Sequence, residues 1–285
     1  MNIIDATEQL LTAYENGQFR LEKWKAYMHS SLPQAEELCL RDLEESLAIG
    51  LSWEKDYLPV LNAVPRHAAQ CRETVRSFYA ITDHLAETIS AKFGRTPDAD
   101  IILYLGLCSG AGWVTAVNGK TVVLLGIEKI VELDWFGLDA MNGLILHELG
   151  HVYQAQYGVL HRKLDSPRDQ FLWQLFTEGI AMVFEQEIVG DPDYFHQDCA
   201  GWKSWCSEHV KLIRDSFLAD LDSMTRADQR YFGDWADFDG HGDVGYYLGA
   251  RFIRFLLTSA RFDDLISYDI EDVRRGFEKF AALEL

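Results

Sequence analysis

The chain has few features that would point to a crosslinked, membrane-spanning or nucleic-acid-binding protein. Its 285 residues include five cysteines, Cys39, Cys71, Cys108, Cys199 and Cys206. That number is odd and contains no C-x-x-C pair, which argues against a disulfide framework and against a cysteine zinc site. No stretch approaches 18 uninterrupted apolar residues, so no membrane span is expected. The opening Met1-Asn2-Ile3-Ile4-Asp5 lacks the basic start and apolar run of a secretory signal, and the cytoplasm is the expected location. Cations are scarce: 26 Lys and Arg face 45 Asp and Glu, a net charge of −19. Binding to nucleic acid relies on neutralising phosphates with Lys and Arg, so no nucleic-acid partner is expected. The acidity reads as a solubilising surface that disfavours acidic substrates at long range and mildly favours basic ones. Neither G-x-G-x-x-G nor G-x-x-x-x-G-K-[ST] occurs, which leaves nucleotide-phosphate chemistry without a seat.

What is present is an ordinary globular composition, 48% hydrophobic and 25% charged. A chain of this length buries about three quarters of its unfolded surface and folds without crosslinks. Residues 1–65 read as amphipathic helices and loops, with Leu10, Leu11 and Tyr14 at helical spacing and Pro59 and Pro65 as punctuation. A helix is expected over His67–Phe93, ended by Gly94. Then the texture changes to short β-prone runs, Ile101–Leu105, Trp113–Val117 and Thr121–Leu125. Asn118-Gly119 joins the last two, and both residue types tolerate the positive φ of a type I′ hairpin turn. Everything after Asp134 reads as helical again. Helices, a small sheet with a hairpin, and more helices predict a mainly helical α+β fold. Two parts are expected, an N-terminal helical region over 1–65 and a second domain over 66–285.

Chemistry concentrates in Leu144-Ile145-Leu146-His147-Glu148-Leu149-Gly150-His151-Val152, which contains H-E-x-x-H. On a helix, residues four apart sit on nearly one face, about one turn apart. His147 and His151 can therefore reach one Zn2+ ion, while Glu148 lies beside them as a general base for a zinc-activated water. The surrounding residues are apolar, and imidazoles in such a run are costly to bury without partners, one of which zinc supplies.

A catalytic zinc needs a third protein ligand. Ser166-Pro167-Arg168-Asp169 has the form of a helix start, leading to Glu178-Gly179-Ile180-Ala181. Glu178 follows His151 at a distance that allows a turn and a returning helix, and Gly179 would let that helix approach the histidine helix closely. Among rivals, the extended H-E-x-x-H-x-x-G-x-x-H pattern fails, because its glycine and last histidine fall at Gln154 and Tyr157. His161 reads as a solvated loop residue. His241 lies in Asp237–Asp243, which reads as a turn, since a calcium loop would need Glu where Leu248 stands.

His147-Glu148-x-x-His151 followed by Glu178-Gly179-Ile180-Ala181 resembles the gluzincin metallopeptidases, in particular their uncharacterised "predicted Zn-dependent protease" families. The resemblance spans roughly residues 67–260. It implies a zincin-like domain, in which an edge-strand hairpin, here about Lys120–Ile127, precedes the metal helix and binds an extended peptide or protein substrate by strand addition. Asp243-Val244-Gly245-Tyr246-Tyr247-Leu248-Gly249 resembles the family's Gly-Tyr-x-x-Gly segment. This implies an oxyanion-stabilising tyrosine, with Tyr246 the better match and Tyr247 its alternative. Gly110-Ala111-Gly112-Trp113 stands where gluzincin aminopeptidases carry Gly-x-Met-Glu-Asn; it lacks the glutamate that grips a free amine. Met182 stands where some gluzincins place a histidine-orienting aspartate.

The reading is a zinc-dependent hydrolase, foremost a metallopeptidase. Two alternatives stay open: a zincin-fold protein that binds a peptide or partner without catalysis, and a zinc hydrolase of a non-peptide amide. Arg251 and Arg254 could grip a substrate carboxylate or simply be solvated. Oligomeric state and cleavage preference are not legible.

Overall fold

The computed structural model describes residues 1–284. Its contacts divide the chain into two compact units, Met1–Glu148 and Leu149–Leu285. Both lie within a mainly helical α+β protein.

The first unit is built on a four-stranded mixed sheet, formed by β1 (Ile3–Asp5), β4 (Asp100–Tyr104), β6 (Lys120–Gly126) and β5 (Gly112–Val117), in that order. A two-stranded hairpin, β2 (Tyr14–Glu15) and β3 (Gln18–Phe19), stands apart from it. β1 runs parallel to β4 with Ile3 opposite Ile101, and β4 runs parallel to β6 with Ile102 opposite Leu124. Every residue of β4 is buried. A strand covered on both faces needs a continuous apolar run, and Ile101-Ile102-Leu103 is one.

β5 and β6 form the expected hairpin. Val117 faces Lys120 across a two-residue turn, and Asn118 and Gly119 have φ of 54° and 75°. The positions of the strands differ from expectation. β6 is paired on both sides, so the segment Lys120–Ile127 supplies an internal strand rather than an edge. The edges are β1 and β5. Strand order is set by pairings across the sheet, which local composition does not encode.

The first 65 residues are also more than helices and loops. They supply β1 and the β2–β3 hairpin as well as α1 (Leu21–Ser31), α2 (Pro33–Ala48) and α3 (Leu58–Ala63). Helix α1 is tied to the end of β4. The Trp24 indole donates to the Leu105 carbonyl at 2.9 Å, the Leu105 amide donates to the Tyr27 hydroxyl at 3.0 Å, and that hydroxyl donates to the Ala6 carbonyl. By contacts the chain divides inside a later helix, at Glu148.

The helix expected over His67–Phe93 is two helices, α4 (Ala68–Thr82) and α5 (Leu85–Phe93), and Gly94 closes the second in the left-handed region. After α6 (Ile127–Glu132) comes α7 (Leu138–Tyr157), the 20-residue helix that carries H-E-x-x-H.

The second unit is helical: the last turns of α7, then α8 (Pro167–Val189), α9 (Trp202–Asp220), α10 (Val244–Leu256), α11 (Phe262–Leu265) and α12 (Ile270–Ala281). Its centre is α8. This helix starts as expected, with the Ser166 hydroxyl accepting from the Asp169 amide and Pro167 in the first turn. It is buried almost all round from Phe171 to Gln186, the pattern of a helix enclosed by others.

Two glycines set how closely its neighbours approach. A Cβ on Gly150 of α7 would lie 2.8 Å from Ala181 Cα. One on Gly179 would lie 2.4 Å from the Gly249 carbonyl oxygen of α10. Gly179 thus serves α10, and the close approach to the histidine helix falls to Gly150.

Candidate metal centre

His147 and His151 occupy successive turns of α7, and Glu178 lies in the middle of α8. One ligand atom from each of these three residues falls within 4.8 Å of the other two. The His151 Nε2 and Glu178 Oε2 atoms are 3.2 Å apart. Two ligands of a tetrahedral zinc with bonds of about 2.0–2.1 Å are separated by about 3.3 Å. The pair already stands at ligand spacing, and two imidazoles with one carboxylate are a donor set suited to zinc that leaves a fourth position open.

Burial grades across the cluster. His147 is 4% exposed and Glu148 7%, while the side chains of His151 and Glu178 are 14% and 16% exposed. The group is sheltered and yet reaches the surface on the side of His151 and Glu178.

Glu148 has a close neighbour that its motif does not reveal. A Cβ on Gly112, the first residue of the edge strand β5, would sit 2.7 Å from both Cγ and Oε1 of Glu148. No protein-family model, curated protein or solved structure matches this chain. The chemistry of the site therefore rests on its own geometry.

The two tyrosines of α10 separate cleanly. Tyr247 is 4% exposed and packed among aromatic rings, 5.1 Å from Phe195 and 6.1 Å from Trp202. It is a core residue. Tyr246 is half-buried, lies edge-on to Phe232 at 5.8 Å, and lines a cavity together with Gln174 of α8. Of the rival ligands, His161 is exposed in a loop. His241 closes a tight turn in which Asp239 and Gly240 have positive φ, and its ring stacks 3.8 Å from that of Trp205. Arg254 is bound to Gln186 and Glu187, and Arg251 stands 3.6 Å from Asp193.

Other buried polar groups escaped the sequence reading. On α8 beyond Met182, Glu185 is fully buried and meets His196 Nδ1 at 2.9 Å, with burial pushing the imidazole down to about 3. In the first unit Glu128 is 1% exposed and accepts from the amides of Gly106 and Cys108 at 2.8 and 3.0 Å. Burial raises its carboxyl above the ordinary value of 4.5, against the pull of those amides. A lone acid in the apolar run Leu124-Leu125-Gly126-Ile127-Glu128 was the available signal. Among the described residues, no helix is long and apolar enough to cross a membrane.

Proposed function

We propose that this chain is a zinc-dependent hydrolase that cleaves peptide bonds, with His147, His151 and Glu178 as metal ligands and Glu148 as general base. The observation that carries the reading is the convergence of one ligand atom from each of the three residues to within 4.8 Å. Zinc bound there would lower the pKa of a bound water toward ~7 and polarise a carbonyl oxygen.

The chain's own residues account for the remaining work. Glu148 follows His147 directly, so its carboxylate is carried beside the ligands on the same helix. It accepts the proton of the attacking water and returns it to the leaving amine nitrogen. Tyr246 is the candidate donor to the oxygen that gains charge as the carbonyl carbon becomes tetrahedral. The start of β5 lies against Glu148, and β5 is an edge strand. An extended peptide added along that edge would present its backbone to the general base, which supports a peptide or protein substrate. The resemblance to gluzincin peptidases in the motifs of α7 and α8 points the same way.

The test is Glu148→Gln in zinc-loaded protein, measured by peptide-library digestion and by metal analysis. Hydrolysis is expected to vanish while zinc remains stoichiometric. Full activity in that variant would overturn the mechanism, and a wild-type protein that takes up no zinc would overturn the reading as a whole.

A further inference from the structure

The second unit holds a cavity of about 580 Å³ on the N-terminal side of Glu178 along α8. Its walls include Phe171, Gln174, Met224, Phe232, Trp235 and Tyr246. The volume is that of a small-ligand site. Gln174 lies four residues before Glu178, one turn earlier on the same helix face and about 6 Å away along the axis. Tyr246, from the start of α10, lines the same cavity. The cavity thus has a wall residue one turn of α8 before Glu178.

Its chemistry is selective. Four of those six walls are aromatic and one is a thioether. Gln229 also lines it, yet its amide is engaged: Oε1 accepts from the Tyr231 and Phe232 amides at 2.8 and 2.9 Å, and Nε2 donates to the Phe232 carbonyl. It offers mainly its methylenes. Arg226 is the one charged residue of the lining, and no Asp or Glu takes part among the described residues. In a chain with 45 acids that is a local exception. A lysine or arginine side chain entering here would lose water, and the lining offers no carboxylate to offset that loss. A flat or branched apolar group would exchange water for ring faces.

We propose that this cavity is the side-chain pocket of the substrate, and that it takes an aromatic or long aliphatic residue of a peptide and rejects a basic one. The proposal rests on the hydrolase reading for its position relative to the cleaved bond; the binding itself does not. Trp235, 44% exposed, forms the outer wall and folds its indole over Gly233, whose φ is +98°. Its emission reports occupancy.

Two measurements test this. The first compares kcat/KM of zinc-loaded protein on blocked peptides that differ at one position, Phe, Leu, Ala or Lys. The Phe and Leu peptides are expected to exceed the Ala peptide by about 10–200-fold, with Lys lowest. Gln174→Trp, which fills the cavity, is expected to remove that preference. Gln170→Trp at its exposed mouth is a second variant that leaves the interior packing alone. The second measurement titrates zinc-free protein with N-acetylphenylalanine amide and follows tryptophan emission. A saturable change is expected in the wild type, absent in Trp235→Phe and in Gln174→Trp. Equal cleavage of all four peptides with no saturable change would overturn the pocket and leave the hydrolase standing. Saturable binding without cleavage of any peptide would overturn the hydrolase and uphold the pocket.

Discussion

Gly112 and Glu148 are in contact, and the contact leaves no room for a side chain at residue 112. A Cβ there would lie 2.7 Å from the carboxylate oxygen Oε1, although Gly112 has an ordinary negative-φ backbone that an alanine could adopt. Space, and not conformation, requires the glycine. Because the colliding atoms Cγ, Cδ and Oε1 all belong to the Glu148 side chain and none to backbone, Gly112→Ala is expected to fold and to push Glu148 aside. A displacement near 1 Å can cost about 100-fold in rate. Peptide hydrolysis should fall by about that factor while zinc content stays constant. An unchanged rate would show that Glu148 does not act from this position.

Metal binding should also appear in stability. A ligand that binds only the folded state contributes about 2.7 kcal/mol at a hundred times its dissociation constant. Zinc added to stripped protein is expected to raise Tm, and a chelator to reverse the rise. Glu178→Gln removes the carboxylate that stands 3.2 Å from His151 Nε2 and should weaken the zinc-dependent part of Tm. If zinc shifts Tm equally in the variant, Glu178 is not a ligand.

Signals that are local to one or two residues are legible in the sequence. The Asn118-Gly119 turn, the left-handed Gly94 cap and the Ser166-Pro167 helix start each depend on the conformational preferences of one or two residues. The H-E-x-x-H spacing likewise needs only a helix. What escaped depends on partners distant in the chain. β1 is three residues long and is a strand because Ile3–Asp5 find Ile101–Leu103. β6 is internal because β4 and β5 both pair with it. The break between α4 and α5 at Asp83-His84 carries no glycine or proline to announce it. Gly179 is legible as a place of close approach, yet its partner, Gly249, is 70 residues away, and nothing in the neighbourhood of either names the other.

That glycine pair is open to a stability measurement. A methyl group on Gly179 would meet the Gly249 carbonyl oxygen at 2.4 Å and the carbonyl carbon at 2.6 Å, both of them backbone atoms of a buried helix. Neither can turn aside. Alanine gains about 1 kcal/mol over glycine in helix propensity, while overpacking of a dense interior costs about 1–3 kcal/mol or more. Gly179→Ala is expected to lose about 2 kcal/mol net, read from the urea midpoint. A stabilised variant would mean that α8 and α10 separate readily.

The start of α8 gives a pH-dependent prediction. Asp169 is largely buried; it accepts from Arg274 Nε of α12 at 2.8 Å and from the Ser166 hydroxyl at 2.7 Å. The Arg274 guanidinium, chiefly through that hydrogen bonding, holds the Asp169 carboxyl below its ordinary value of 3.8, and Ser166 adds to the effect. A carboxyl depressed in the folded state contributes stability that is fully present above the unfolded value, near pH 4. The contribution declines as pH falls and is gone below the folded value. Arg274 is more than a third exposed, so solvent screens the pair and its loss should cost no more than about 1 kcal/mol. Arg274→Met is therefore expected to lower the urea midpoint modestly at pH 7, and the gap from the wild type should close as the pH is taken below that of the folded carboxyl. A gap that persists undiminished in acid would place the contribution of Arg274 in packing and not in its charge.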